Sequence, residues 1–327
     1  MKTLIANFSK QLTEAIEIGK KAKLSFAHDT IQNVLVCGLG GSGIGGSIVR
    51  ELVNDEVKVP IDLSKGYFIP AYVNQNTLVI ISSYSGNTEE TLNCMEQAMK
   101  KNAKIVCITS GGKVLEIAKA NKYDHIVVPG GMPPRACLGY SLTQLFFILA
   151  HGGIISKNFL PQLEASIKLI DTEEKNIIAE ADKIATKLLN KFPVIYTTTN
   201  YESMAIRFRQ QLNENAKILC WHHVIPEMNH NELVGWTKTN NDIAVLFFRD
   251  KQEYKRNDTR IEICKTVISK LTSETTEIWS KGNSAIEKEI YFIHLGDWIS
   301  VLLAEKRGVD SMEVNVINHL KSELGKL

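Results

Sequence analysis

Apolar and polar positions along the chain switch repeatedly between two periods. Short β-branched runs closed by Gly/Ser turns alternate with stretches of helical spacing, the pattern of β-α units around a parallel sheet. In the first half NVLVC (33–37), VPIDL (59–63), TLVIIS (77–82), KIVCIT (104–109) and HIVV (125–128) predict strands. Helices are predicted from about Ile44, Asn87 and Gly112, and a long apolar one from Gly139 to about Ala150. From Pro161 to Lys191 a stretch rich in lysine and glutamate keeps helical periodicity and contains no β-like run. The alternation then resumes with PVIYTTT (193–199), DIAVLFF (242–248) and TEIWSK (276–281), each followed by a helical pattern, and MEVNVINHLKSEL predicts a C-terminal helix.

Laid over one another the halves match: 33–37 with 193–199, 77–82 with 242–248, and 104–109 with 276–281. The expected fold class is α/β, with two copies of one unit, each a mainly parallel β-sheet flanked by helices in a three-layer αβα sandwich. The expected division is residues 1–155, a helical connection over 156–192, and residues 193–327 with the C-terminal helix. Only the first copy carries glycine- and serine-rich loops, GLGGSGIGG and SSYSGNTEE. The second has TTTNYES and RDKQEYKRND in their places.

Composition removes several function classes. The 327 residues are 44% hydrophobic and 23% charged, which excludes a disordered chain, and 38 basic against 36 acidic side chains leave no basic stripe for nucleic acid. The longest apolar run, Leu145 to Ile155, is too short to span a bilayer, so no membrane partner is expected. The N-terminal stretch alternates apolar and charged residues unlike a signal peptide. Six cysteines (Cys37, Cys94, Cys107, Cys137, Cys220, Cys264) contain no CxxC pair and read as reduced packing residues of a cytoplasmic protein. The adjacent His222 and His223 suggest no metal site, because neighbouring side chains seldom point the same way and no further ligand set is evident.

Glycine is near its average abundance, yet six of the 21 fall within nine residues: Gly38, Gly40, Gly41, Gly43, Gly45 and Gly46. A predicted strand running into such a loop and then a helix offers backbone N–H groups and a helix dipole to an anion. Gly41 and Ser42 lie in this loop. Gly38, Gly40 and Gly43 also match G-x-G-x-x-G, with Asp62 placed 19 residues beyond Gly43, so a dinucleotide is an open alternative on this loop alone. The second loop changes the balance. Ser83, Ser85 and Thr88 put three hydroxyls within six residues at another helix start, more than one N-cap needs, although Asn87 or Thr88 would serve as a cap. A phosphomonoester sugar suits that pocket better than a dinucleotide does.

Taken together, GLGGSGIGG, SSYSGNTEE, GMPPRACLGYS (131–141), QLNENAK (211–217) and PEMNHNELVGW (226–236) resemble the bifunctional phosphoglucose/phosphomannose isomerases, which carry two sugar isomerase (SIS) domains. The resemblance spans essentially the whole chain. It implies an aldose–ketose isomerase acting on glucose 6-phosphate and mannose 6-phosphate, with fructose 6-phosphate as common product, a cis-enediolate intermediate and no cofactor or metal. That chemistry needs a base for the C1/C2 proton, a donor near the developing oxyanion and an acid/base to open the sugar ring.

The same resemblance distributes the roles. Read alone, Glu214 is an acid between two asparagines near a helix end; the resemblance makes it the base. Arg135 follows two prolines that fix its approach and would stabilise the enediolate. His230, in a polar loop, would open the ring and come from the partner of a homodimer. Lys321 in the C-terminal helix would act beside the ring oxygen, with Lys326 a neighbouring alternative. Gly41, Ser42, Ser83, Ser85 and Thr88 would hold the phosphate. Two other classes stay open at this point: a non-catalytic sugar-phosphate sensor, which would need neither Glu214 nor His230, and an NAD-dependent dehydrogenase resting on the first loop.

Overall fold

A computed structural model describes residues 1–26 and 30–326. Two compact units emerge, one formed by Ala6–Thr172 with Gly282–Ile290, the other by Met1–Ile5, Glu173–Lys281 and the residues from Tyr291 on. The helices, in chain order, are α1 (Lys2–Ala6), α2 (Phe8–Lys21), α3 (Gly40–Leu52), α4 (Glu89–Lys100), α5 (Gly112–Ala120), α6 (Leu138–His151), α7 (Phe159–Leu188), α8 (Glu202–Glu214), α9 (Lys255–Ile268), α10 (Ala285–Lys306) and α11 (Asn315–Leu324). The strands are β1 (Asn33–Cys37), β2 (Ile61–Ser64), β3 (Thr77–Ser82), β4 (Lys104–Thr109), β5 (Asp124–Val127), β6 (Phe192–Thr198), β7 (Trp221–Ile225), β8 (Ile243–Arg249) and β9 (Glu274–Trp279). The division between units falls within α7 and within α10.

In the first unit five parallel strands take the order β2-β1-β3-β4-β5. All six residues of TLVIIS in β3 are buried, as required of a strand covered on both faces. Leu35, Val79, Ile81, Ile105 and Cys107 pack with Met95 and Ala98 of α4 and Val114 and Ala118 of α5. On the opposite face α3 lies close enough that a Cβ at Gly46 would meet Val36 Cγ1 at 2.9 Å. The second unit repeats the topology with four parallel strands, β7-β6-β8-β9. Val194, Tyr196, Val245 and Phe247 face Ile261, Cys264 and Ile268 of α9, while Phe248 on the other face packs edge-on against Phe208 of α8 and Phe292 of α10.

The α/β expectation holds in both units, and β1, β3 and β4 correspond to β6, β8 and β9 as the repeat implies. Two details differ. WHHVI at 221–225, unassigned from sequence, forms β7, the counterpart of β2; it is an edge strand with Trp221 exposed, so its burial pattern is too weak to read. Helix α3 starts at Gly40, four residues earlier than its first apolar residue suggested, because its glycine-rich first turn is held by packing. Among the described residues no helix is long and apolar enough to cross a membrane.

Candidate active site

An order of 2-1-3-4-5 places a topological switch between β1 and β3, where connections leave in opposite directions and open a crevice at the carboxyl ends of the strands. Both predicted loops lie there: Gly38 and Leu39 lead from β1 into α3, and residues 83–88 lead from β3 into α4. They are joined directly. The Tyr84 N–H donates to Ser42 Oγ at 3.1 Å, and Ser82 Oγ donates to the Ser42 carbonyl at 3.4 Å. Ser42 Oγ accepts in the first bond, so its own proton stays available to an anion. Ser83 Oγ donates to Thr88 Oγ1 at 3.1 Å, and the Asn87 N–H donates to Ser85 Oγ at 3.3 Å. Thr88 occupies the N-cap position of α4, yet its hydroxyl makes no capping bond; it is turned to Ser83. Ser42, Ser83, Ser85 and Thr88 therefore lie in two bonded loops at the first turns of α3 and α4, with the Ser83 and Thr88 hydroxyls in direct contact.

The backbone makes this possible at two glycines. Gly86 has φ +69°, and a Cβ there would fall 1.8 Å from the Gly111 carbonyl oxygen, so only glycine lets the second loop close. At Gly41 a Cβ would lie 2.7 Å from the Pro134 carbonyl oxygen. This contact presses the start of α3 against the short 3-10 turn Pro134–Ala136, which carries Arg135. Arg135 is buried at 5% exposure, a placement that an arginine takes only when held. The sequence-predicted anion loops and Arg135 are thus brought together in the first unit.

Two residues that shape this site were not singled out from sequence. Tyr84 donates and accepts at three points: N–H to Ser42, carbonyl from the Ser110 hydroxyl at 2.6 Å, and phenol oxygen from the Met132 N–H at 3.3 Å. Burial and its neighbour Cys137 push its phenol well above the usual tyrosine range. Gln11 of α2 donates to the Ala136 carbonyl at 2.8 Å and accepts from the Gly139 N–H at 2.7 Å, bracing both sides of the Arg135 turn. Its one sequence signal is a polar side chain within the apolar stripe Phe8, Leu12, Ala15 of α2.

In the second unit Glu214 is the last residue of α8 and is half-buried. The end of this helix is fastened to α10. Arg207 forms a buried bidentate pair with Asp297 at 2.7 and 2.9 Å, Gln211 donates to the same carboxylate at 2.7 Å, and Asn215 donates to Ser300 Oγ at 2.9 Å. Arg307 Nε adds a bond to the Ala216 carbonyl at 3.1 Å. Lys217 Nζ then bridges the Glu214 and Glu313 carbonyls, both at 2.5 Å, tying the root of α11 to the turn that bears Glu214.

His230 ends the 3-10 turn Glu227–His230 after β7 and is exposed. That turn packs on the α9 face: Met228 joins the cluster with Cys264, and Asn229 Nδ2 donates to Cys264 Sγ at 2.8 Å. Glu214 belongs to the α8 layer on the other face, so the structure does not bring these two residues together in one unit. Lys321 is exposed on α11, of which no residue is buried. Lys326 pairs with Glu323 at 2.6 Å. Asp62, the ribose acid of the dinucleotide alternative, instead accepts from the Leu63 N–H at 2.8 Å and the Tyr72 hydroxyl at 3.0 Å. Among the described residues no group of three or more His, Cys, Asp or Glu side chains is arranged to hold a metal ion.

With this geometry in place, known proteins are informative. Residues 177–324 match the model of the bacterial phospho-glucose isomerase C-terminal SIS domain, and residues 67–128 match the SIS domain. A bifunctional phosphoglucose/phosphomannose isomerase from Caldicellulosiruptor bescii is 38% identical over 99% of this chain and 98% of its own. One from Aquifex aeolicus is 34% identical over 90% of this chain and 91% of its own. The C-terminal domain of glucosamine-fructose-6-phosphate aminotransferase from Francisella tularensis shares the fold, with a TM-score of 0.76 at 14% identity, covering 95% of this chain and 97% of that one. A hydroxyl-lined crevice on a double SIS scaffold, matched along nearly its whole length by relatives of one kind, places the chain in the bifunctional phosphoglucose/phosphomannose isomerase family.

Proposed function

We propose that this chain is an aldose–ketose isomerase that interconverts glucose 6-phosphate, and mannose 6-phosphate, with fructose 6-phosphate through a cis-enediolate. The observation that carries the reading is the pair of bonded, hydroxyl-bearing loops at the β1/β3 switch point, on a chain 38% identical over 99% of its length to an enzyme of that name. Ser42, Ser83, Ser85 and Thr88, with Gly41 and the amides opening α3 and α4, hold the phosphate dianion. Glu214 moves the proton between C1 and C2. Arg135, held in place by the Pro134–Ala136 turn, stabilises the enediolate oxygen; a preorganised donor of this kind contributes about 3 kcal/mol, or roughly 10²-fold in rate. His230 and Lys321 exchange the ring-oxygen proton as the sugar opens. Rotation about C2–C3 in the enediolate presents its other face to the base and admits the mannose epimer.

The opposite-face placement of Glu214 and His230 supports a homodimer in which each site takes its histidine from the partner chain. Six cysteines without a pairing pattern support a cytoplasmic setting. The test is a coupled assay on both aldose phosphates and on fructose 6-phosphate, run with and without a chelator. Glu214→Gln is expected to lose more than about 10²-fold in kcat while still binding substrate. Turnover near that of the parent would remove Glu214 from the base role, and saturable NADH binding with no isomerisation would favour the dehydrogenase alternative.

A further inference from the structure

The loop that carries His230 is fastened on both sides, and the two fastenings differ in kind. Before it, Met228 is fully buried against Cys264 of α9, and Asn229 Nδ2 donates to Cys264 Sγ at 2.8 Å. After it comes Glu232, which opens the 3-10 turn Glu232–Gly235 and whose side chain is only 17% exposed. Its carboxylate collects three donors from the sheet. The Tyr196 hydroxyl of β6 donates to one oxygen; Trp221 Nε1 at 3.0 Å and His223 Nδ1 at 2.8 Å, both of β7, meet the other. A carboxylate can only accept, so His223 carries its proton on Nδ1. Burial and the Glu232 carboxylate push the Tyr196 phenol well above the usual tyrosine range, which keeps it a donor. Trp236, just past the turn, donates from Nε1 to the Tyr196 oxygen at 3.0 Å. Both ends of the turn therefore hang on one wholly buried tyrosine.

Formation of the turn does not ask for such an arrangement. An apolar side chain would seat the loop against Tyr196, Trp221 and Trp236 without the cost of taking a charge out of water. What the carboxylate adds is direction: three charge-assisted bonds from two strands fix residue 232 in space, where apolar packing tolerates sliding. The exposed His230 ring stands two residues upstream, between the two anchors, so its placement is decided by them. We propose that Glu232 is a positioning residue for sugar-ring opening: it gathers Tyr196, Trp221 and His223 so that His230 is presented to the ring oxygen from a fixed backbone. The inference rests on the isomerase reading, which gives His230 its task. Proton exchange with a ring oxygen needs hydrogen-bond reach, and a displacement of about 1 Å costs up to about 10²-fold. The effect of Glu232 passes through the backbone of residues 230–232 rather than through the substrate.

Ring opening can be followed apart from proton transfer between carbons. Magnetisation-exchange NMR on glucose 6-phosphate measures how far the full chain accelerates interconversion of the α and β anomers, and a coupled assay measures isomerisation by the same samples. Glu232→Gln keeps the shape of the side chain but loses its charge, which weakens all three bonds. It is expected to lower the acceleration of anomer exchange by about 10-fold or more, as His230→Gln does, while inorganic phosphate still binds with the parent's stoichiometry and affinity in isothermal titration. Anomer exchange at the parental level would overturn the proposal. So would a loss matched by an equal loss of phosphate sites, which is what unfolding alone produces. Tyr196→Phe removes one donor and is expected to cost less, about 2- to 5-fold, and Tyr196→Phe/Glu232→Gln should be no slower than Glu232→Gln alone. Effects that multiply in the double variant would mean that the two residues act separately, and would equally overturn it. A parent that accelerates neither anomer exchange nor isomerisation refutes the isomerase reading, whereas an active parent matched by Glu232→Gln refutes only the role of Glu232.

Discussion

The two sheets share one topology but use its crevice in opposite ways. Between β1 and β3 the crevice is framed by glycines and hydroxyls, with the Ser42–Tyr84 bond joining its two walls. Between β6 and β8 the corresponding space holds carboxylates: Tyr201 donates to Asp250 Oδ2 and Thr198 to Glu253 Oε2, both at 2.6 Å. An approaching dianion meets hydrogen-bond donors in the first and like charge in the second. The same backbone thus frames a crevice lined by hydroxyls or one lined by carboxylates according to a few loop residues. In the second unit Glu214 stands instead at a helix end braced by a buried ion pair.

The largest effect should come from breaking that brace. Arg207→Met leaves the Asp297 carboxylate buried with only Gln211 and its neighbours, and is expected to cost about 3–5 kcal/mol of stability in denaturant unfolding. A midpoint unchanged from the parent would show that the pair does not hold α8. Next, Gly41→Ala should raise KM for fructose 6-phosphate by roughly 10-fold or more, because a Cβ 2.7 Å from the Pro134 carbonyl must push the first loop off the Arg135 turn. Equal KM values would mean that the contact is incidental. Ser83→Ala should weaken inorganic phosphate by about 10-fold in isothermal titration, the loss of one bond to a charged group, whereas Asp250→Asn in the second crevice should leave phosphate affinity alone. If both substitutions act equally, the contrast between the two crevices fails.

The smallest effect concerns His222 on β7. Burial, then the charges of Arg209 and His223, lower its pKa from 6.5 to about 4. The unfolded chain therefore binds the proton more readily, so this residue's contribution is complete above about pH 6.5 and is lost as pH falls toward 4. One pKa unit corresponds to about 1.4 kcal/mol; with partial solvent access the effect should be about 1–2 kcal/mol. His222→Gln should flatten stability over that window, and an unchanged slope would assign the acid sensitivity elsewhere.

Legibility of the sequence followed locality. TLVIIS and KIVCIT announce themselves because burial on both faces makes every residue apolar, and the anion loops are readable because strand, loop and helix start are contiguous. β7 was hidden by its edge position, which lets two histidines and an exposed tryptophan stand in a strand. The contacts that position the site are long-range. Gln11 reaches Ala136 and Gly139 across 125 and 128 residues, and Tyr84 meets Ser42 across 42. No local window contains both ends of such a bond. The burial of Arg135 was equally unreadable, since an arginine after two prolines looks the same whether it faces solvent or a packed helix start.

The bond from the Tyr84 amide to the Ser42 hydroxyl also bears on what ligand capture requires. Ordering a flexible residue consumes about 1–2 kcal/mol of chain entropy, and two separate loops closing on a dianion would each incur that at several positions. Here the walls are already cross-linked in the free chain, so little motion is left to quench. Phosphate alone should then seat with a small entropic penalty, as a rigid anchor from which the flexible carbon chain of the opened sugar is free to rotate.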